Sequence, residues 1–163
     1  MSLMATRDMQ TVLCDVLVLG IGNLLQKDDG VGVHVVNYMN ETGTTVPRYV
    51  EIVDGGTAGY DLVPIMKGRK KIIIVDALKV DDVPGSVYRF TPEHLAQSKE
   101  KFSLHEVGVK ELIRHLQLMG DDPVIEIIGI VPEDIQTLEI GTSDSVKKSI
   151  PRVVELILEA ATH

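Results

Sequence analysis

The chain has 163 residues, 44% of them hydrophobic and 25% charged, with a formal net charge of −8. That length suits one domain, residues 1–163, burying roughly 70% of its unfolded surface. The acidic balance argues against a nucleic-acid partner, because the largest basic cluster, Lys67–Lys71, is short and abuts a strand. The single cysteine, Cys14, excludes an internal disulfide and any multi-cysteine metal site, and its expected role is that of a small buried thiol. No apolar run reaches the roughly 18 residues needed to span a bilayer, so no membrane insertion is expected. Residues 1–11 have no apolar core like that of a secretory signal; they are expected to be flexible, and the chain cytoplasmic.

The first element is Val16–Leu19, apolar on both faces as a central parallel strand should be. A Gly20-Ile21-Gly22-Asn23 turn, a short apolar loop and the acidic pair Asp28-Asp29 lead into a helix running to about Asn40. Its inner face is Val31, Val35, Val36 and Met39. Arg48–Val53 alternates as a second strand and ends in Asp54-Gly55-Gly56-Thr57-Ala58-Gly59, a run that implies an unusual backbone path. A short helix to Met66 is followed by Lys71–Ala77, a buried third strand closing at Asp76. Too few residues separate it from Ser86–Phe90 for a parallel crossover, so the fourth strand is expected to be antiparallel and at an edge. Thr91–Phe102 is a polar connection with a helical turn. Ser103-Leu104-His105-Glu106 is a capping box opening a helix to about Met119. Val124–Val131 is the fifth strand. Ser143–Ala161 is a last helix with Val146, Ile150, Val153, Ile157 and Ala161 as its stripe, kinked or split by Pro151.

These elements predict an α/β fold: a three-layer α/β/α sandwich around a mixed five-stranded sheet of order 2-1-3-5-4, with strand 4 antiparallel. Strands 2 and 3 then flank strand 1, and the crevice at such a switch point is where open α/β sheets bind ligands. The loop after strand 1 brings Asp28 and Asp29 there, strand 2 brings Asp54 and strand 3 brings Asp76. The helix feeding strand 5 must start at the same rim, which brings His105. A helix N-terminus favours neutral imidazole, the form a metal needs. Two carboxylates and one imidazole would suit a borderline divalent ion. The plainer alternatives are that Asp28 or Asp29 caps a helix and that Asp76 satisfies backbone donors at a strand end. His34, His94, His115 and His163 have no comparable partners.

A dinucleotide-binding module is disfavoured because Leu25 stands where its third glycine belongs and two acids occupy the loop. A phosphoacceptor signalling domain resembling a response-regulator receiver, with Asp76 as acceptor, shares the five strands and the acidic pair. It would place that pair at the strand end and a lysine after strand 5, where this chain has Val131-Pro132-Glu133.

The ordered set Gly20-Ile21-Gly22-Asn23-Leu24-Leu25, Asp28-Asp29-Gly30-Val31-Gly32-Val33, Asp54–Gly59, Asp76-Ala77 and His105-Glu106-Val107-Gly108 resembles the hydrogenase maturation endopeptidases. These enzymes trim the C-terminal extension from the large-subunit precursor of nickel–iron (NiFe) hydrogenases. The resemblance spans about Val16 to Pro132 and implies a phosphorylase/hydrolase-like fold and an endopeptidase activity. It implies that Asp29, Asp76 and His105 are the catalytic residues and contact nickel carried by the precursor, other divalent ions being able to occupy the same site, with no permanent cofactor. It also implies that Asp54, Gly55, Gly56, Thr57 and Asn23 line the groove for the substrate's C-terminal segment. Asp28 could share the role of Asp29. The implied partner is the hydrogenase large-subunit precursor, and the chain itself is expected to be a monomer or weak homodimer. No Ser-His-Asp, Cys-His or His-Glu-x-x-His pattern offers a rival protease mechanism.

Overall fold

The computed structural model describes residues 14–97 and 109–163. The expected flexibility of residues 1–11, and the Ser103–Glu106 capping box with His105, lie outside the described residues.

Five strands form one sheet in the order β2-β1-β3-β5-β4. They are β1 (Val16–Ile21), β2 (Val50–Gly56), β3 (Lys71–Ala77), β4 (Val87–Phe90) and β5 (Val124–Ile130). The β1–β2, β1–β3 and β3–β5 pairs are parallel, and β4 runs antiparallel along β5 from Val87↔Ile130 to Phe90↔Ile127. The expected order and strand directions are therefore observed. The helices are α1 (Val31–Glu41), α2 (Val63–Met66), α3 (Pro92–Gln97), α4 (described over Val109–Leu118), α5 (Asp144–Lys147) and α6 (Ile150–Thr162).

Strand alternation divides the core between the two faces of the sheet. Val16, Val18, Ile73 and Val75 face α1 and α6, whose buried residues include Val35, Val36, Val153 and Ile157. Leu17, Leu19, Ile72 and Ile74 face α2 and α4, through Met66, Leu112 and Leu116. The helical stripes read from the sequence are the ones buried here.

Two local details differ from expectation, and a third resolves an alternative left open. Asp28 and Asp29 do not open α1; they lie in a 3-10 turn, Lys27–Gly30, entered through Lys27 at φ 46°. Pro151 splits rather than kinks the last helix: α5 ends at Lys147, and α6 restarts with the proline in its first turn, where a missing N–H costs no helical bond. The connection after β4 holds a full short helix, α3.

Two close approaches fix α1 to the sheet. A Cβ on Gly32 would lie 2.1 Å from the Val75 carbonyl oxygen, and one on Gly20 would lie 2.3 Å from that of Gly32. Gly20, one of the glycines that invite a nucleotide reading, thus forms with Gly32 a packing seam between α1 and the sheet.

Candidate active site

The carboxyl ends of β1, β2 and β3 meet at the switch point, and the acidic turn packs against β3 there. Asp29 is 4% exposed, and its Oδ2 accepts the Asn23 amide at 3.3 Å. Gly22 makes this possible. It sits at φ 141°, and a Cβ there would lie 2.2 Å from the Asp29 carbonyl oxygen. Asp76 is fully buried, and its Oδ1 accepts the Ala77 amide at 2.8 Å. Both residues have further interactions. Alternation puts Asp76 on the face of β3 shared by Ile72 and Ile74, which α4 covers. Asp29 and Asp76 are thus brought to one edge, as expected.

Asp28 has a different job. Its Oδ2 accepts the amides of Glu133 (2.9 Å) and Asp134 (3.0 Å) and the Ser143 hydroxyl (2.7 Å), and its Oδ1 accepts the Ser143 amide (2.7 Å). Its own amide donates to the Asp134 carbonyl at 2.9 Å. A buried carboxylate with four donors is a clamp between the acidic turn and the 133–143 loop. It caps no residue of α1, and it is in poor position to share the role of Asp29.

β2 runs on through Gly56, so Asp54 lies within the last residues of the strand rather than after it; it is exposed on the same rim, and its Oδ1 accepts the Gly56 amide at 3.0 Å and its Oδ2 accepts Asn37 Nδ2 at 3.3 Å. Gly55 is buried, Gly56 takes φ 48°, and Thr57 faces solvent. The Gly22 amide donates to the Gly56 carbonyl at 3.0 Å, joining this loop to the turn that carries Asp29. Asn23 is part of that turn. Its Oδ1 accepts the Leu25 amide at 3.0 Å and its Nδ2 donates to Gln26 Oε1 at 3.2 Å. Beside the Asp54 loop lies a cavity of about 140 Å³ lined by Ile21, Gly56, Thr57, Leu62, Val109 and Leu112. Its walls are mostly aliphatic, and sequence reasoning missed it because its lining comes from four separate elements.

His105 lies outside the described residues, although α4, described from Val109, covers the face that Asp76 shares. Among the described residues no group of three or more His, Cys, Asp and Glu side chains is placed to hold a metal ion. His34, set aside in the sequence, is half-buried on α1. Its Nε2 is buried without a hydrogen-bond partner, and burial lowers its pKa against the opposing pull of Asp28 and Asp54. In the 133–143 loop, the Thr137 hydroxyl, followed by the Thr137 and Gln136 amides, holds the Asp134 carboxyl down at about 2.

Residues 33–160 match the family profile described as HycI, hydrogenase maturation protease. The chain is 34% identical over 148 residues to the hydrogenase 2 maturation protease of Escherichia coli K12, covering 89% of each. Its fold superposes on the hydrogenase maturating endopeptidase HybD of E. coli with a TM-score of 0.77 at 33% identity, covering 89% of this chain and 90% of that one. A HybD protease of Thermococcus kodakarensis superposes with a TM-score of 0.74 at 29% identity, covering 90% and 98%. The phosphoacceptor alternative finds no support in these relatives, and Asp28, held by four donors, is not the open acid such a domain would need beside its acceptor.

Proposed function

The chain belongs to the hydrogenase maturation protease family and is a peptidase, and from that premise we propose the substrate and the site. The substrate is a NiFe hydrogenase large-subunit precursor already loaded with nickel, and the reaction removes its C-terminal extension. The metal belongs to the substrate and serves as the recognition element, so cleavage follows insertion. Asp29, Asp76 and His105 contact it. The observation that carries this reading is the delivery of two buried carboxylates, Asp29 and Asp76, to one strand edge at the switch point.

The Asp54–Thr57 loop and Asn23 border the groove for the precursor's tail, and the adjoining aliphatic cavity suits an apolar side chain of that tail. Hydrolysis needs an activated water and a polarised carbonyl. Substrate-borne nickel can supply both, or an unliganded carboxylate of the pair can act as general base while the metal positions the chain. Among the described residues no helix is long and apolar enough to cross a membrane; the cytoplasm is the proposed compartment, and a monomer or weak homodimer the proposed state.

The test is processing of a nickel-loaded precursor by the wild type and by Asp29→Ala, Asp76→Ala and His105→Ala. Folded but inactive variants support the assignment. Full processing by any of them removes that residue from the site.

A further inference from the structure

The 133–143 loop is fastened to the acidic turn by more than the Asp28 clamp. A single parallel bridge joins Gln26 to Glu139, with the Lys27 amide donating to the Glu139 carbonyl (2.9 Å) and the Glu139 amide to the Leu25 carbonyl (3.0 Å). Asp134 adds a local turn by accepting the amides of Gln136 and Thr137. These bonds use backbone and polar groups, and the aliphatic side chains carried on them are left in solvent. Leu25 is 58% exposed, Leu138 80% and Ile140 64%. The pairing brings Leu25 alongside the 138–140 segment, so three exposed aliphatic residues are carried on neighbouring, tied backbone, here called the ledge.

Singly exposed aliphatic groups are ordinary on a protein surface; several grouped on fixed backbone beside a site are the pattern of an interaction surface. The ledge is continuous with the candidate active site: Leu25 is two residues past Asn23, whose amide holds Asp29, and Asp28 anchors the 133–143 loop directly beside Asp29. Exposed aliphatics also occur at the opposite pole of the sheet, where Leu118 and Val124 flank the start of β5. Those lie at the end of the strands opposite Asp29 and Asp76.

We infer that the Leu25–Leu138–Ile140 ledge is the docking surface for the folded body of the hydrogenase large-subunit precursor, meeting an apolar patch on it while the tail enters the site. The inference rests on the substrate proposed above. The ledge supplies binding energy away from the scissile bond, and its tie to Asp28 keeps docking in register with Asp29.

The experiment measures processing of a nickel-loaded precursor by three proteins: the wild type, the triple variant Leu25→Ser/Leu138→Ser/Ile140→Ser, and the control Leu118→Ser/Val124→Ser. Circular dichroism checks that each is folded. The ledge predicts about a tenfold or larger rise in KM for the triple variant, with kcat close to wild type, on the scale of losing exposed aliphatic contacts that become buried. The control variant should keep the wild-type KM. A single Leu138→Asp exchange should raise KM as well, by putting a charge into an apolar contact. Processing by the triple variant at unchanged KM, beside an active wild type, overturns the ledge alone. A wild-type dimer that the triple variant dissolves with no change in KM overturns it too, by making the ledge a self-interface. A wild type that leaves every loaded precursor uncut overturns the substrate reading and with it the occupant named here.

Discussion

Ser143 gives Asp28 two donors at once, its amide to Oδ1 and its hydroxyl to Oδ2, each at 2.7 Å and both inside the protein. The two residues are 115 positions apart. Their bond closes the loop after β5 onto the turn after β1. Asp28→Asn replaces one acceptor oxygen with a donor facing other donors, and should cost about 2–4 kcal/mol of folding stability. Ser143→Ala keeps the amide bond and should cost about 1–2 kcal/mol. Urea denaturation measures both, and the order of the two losses is the sharper expectation.

Gly32 is the tightest point of the helix–sheet seam. A methyl there would lie 2.1 Å from the Val75 carbonyl oxygen and 2.6 Å from that of Ile21. Both atoms are backbone, so neither can swing away. Gly32→Ala should push α1 off the sheet and lower stability by about 2–4 kcal/mol, although alanine is the better helix former. A fall in the thermal midpoint of the variant checks it. Processing activity should fall as well, because α1 follows directly on the turn that carries Asp29.

Burial holds the His34 imidazole below its ordinary pKa of 6.5, in spite of Asp28 and Asp54. Between the lowered value and 6.5 the unfolded chain binds a proton that the folded chain refuses. Stability is therefore complete above about pH 6.5 and falls as the pH drops below it. His34→Gln removes that contribution. The unfolding free energy of the variant should vary less than that of the wild type between about pH 7 and pH 5, and parallel slopes would mean that His34 is not the group responsible.

Thr57 is exposed and borders the aliphatic cavity. Thr57→Trp should narrow the mouth of that cavity without disturbing the core. The expected result is a KM for the precursor raised several-fold, roughly 3–10-fold, with kcat little changed and a normal thermal midpoint. A drop in kcat alone would mean that Thr57 acts on the chemical step instead.

The sheet was legible because its cues are local. Val16–Leu19 and Ile72–Val75 are apolar on both faces, and the short link from Ala77 to Ser86 permits only an antiparallel β4. Asp29 and Asp76 were legible as a pair because topology alone carries both to the carboxyl edge. The role of Asp28 was not, since three of its four donors (one from Glu133, one from Asp134, one from Ser143) are backbone amides, which every residue except proline possesses. No residue pattern marks such a contact. The 3-10 turn was hidden for a related reason: it depends on the left-handed backbone of Lys27, a residue type that does not announce one. The exposed ledge was equally hidden, because Leu25, Leu138 and Ile140 look like core residues until the fold leaves them outside.

The most direct measurement is the intact mass of a hydrogenase large-subunit precursor after incubation with this protein, with nickel inserted and without it. The account predicts loss of a C-terminal peptide from the nickel-loaded precursor alone, and no loss when Asp29 or Asp76 is replaced by alanine. Cleavage of the nickel-free precursor at an equal rate would contradict it.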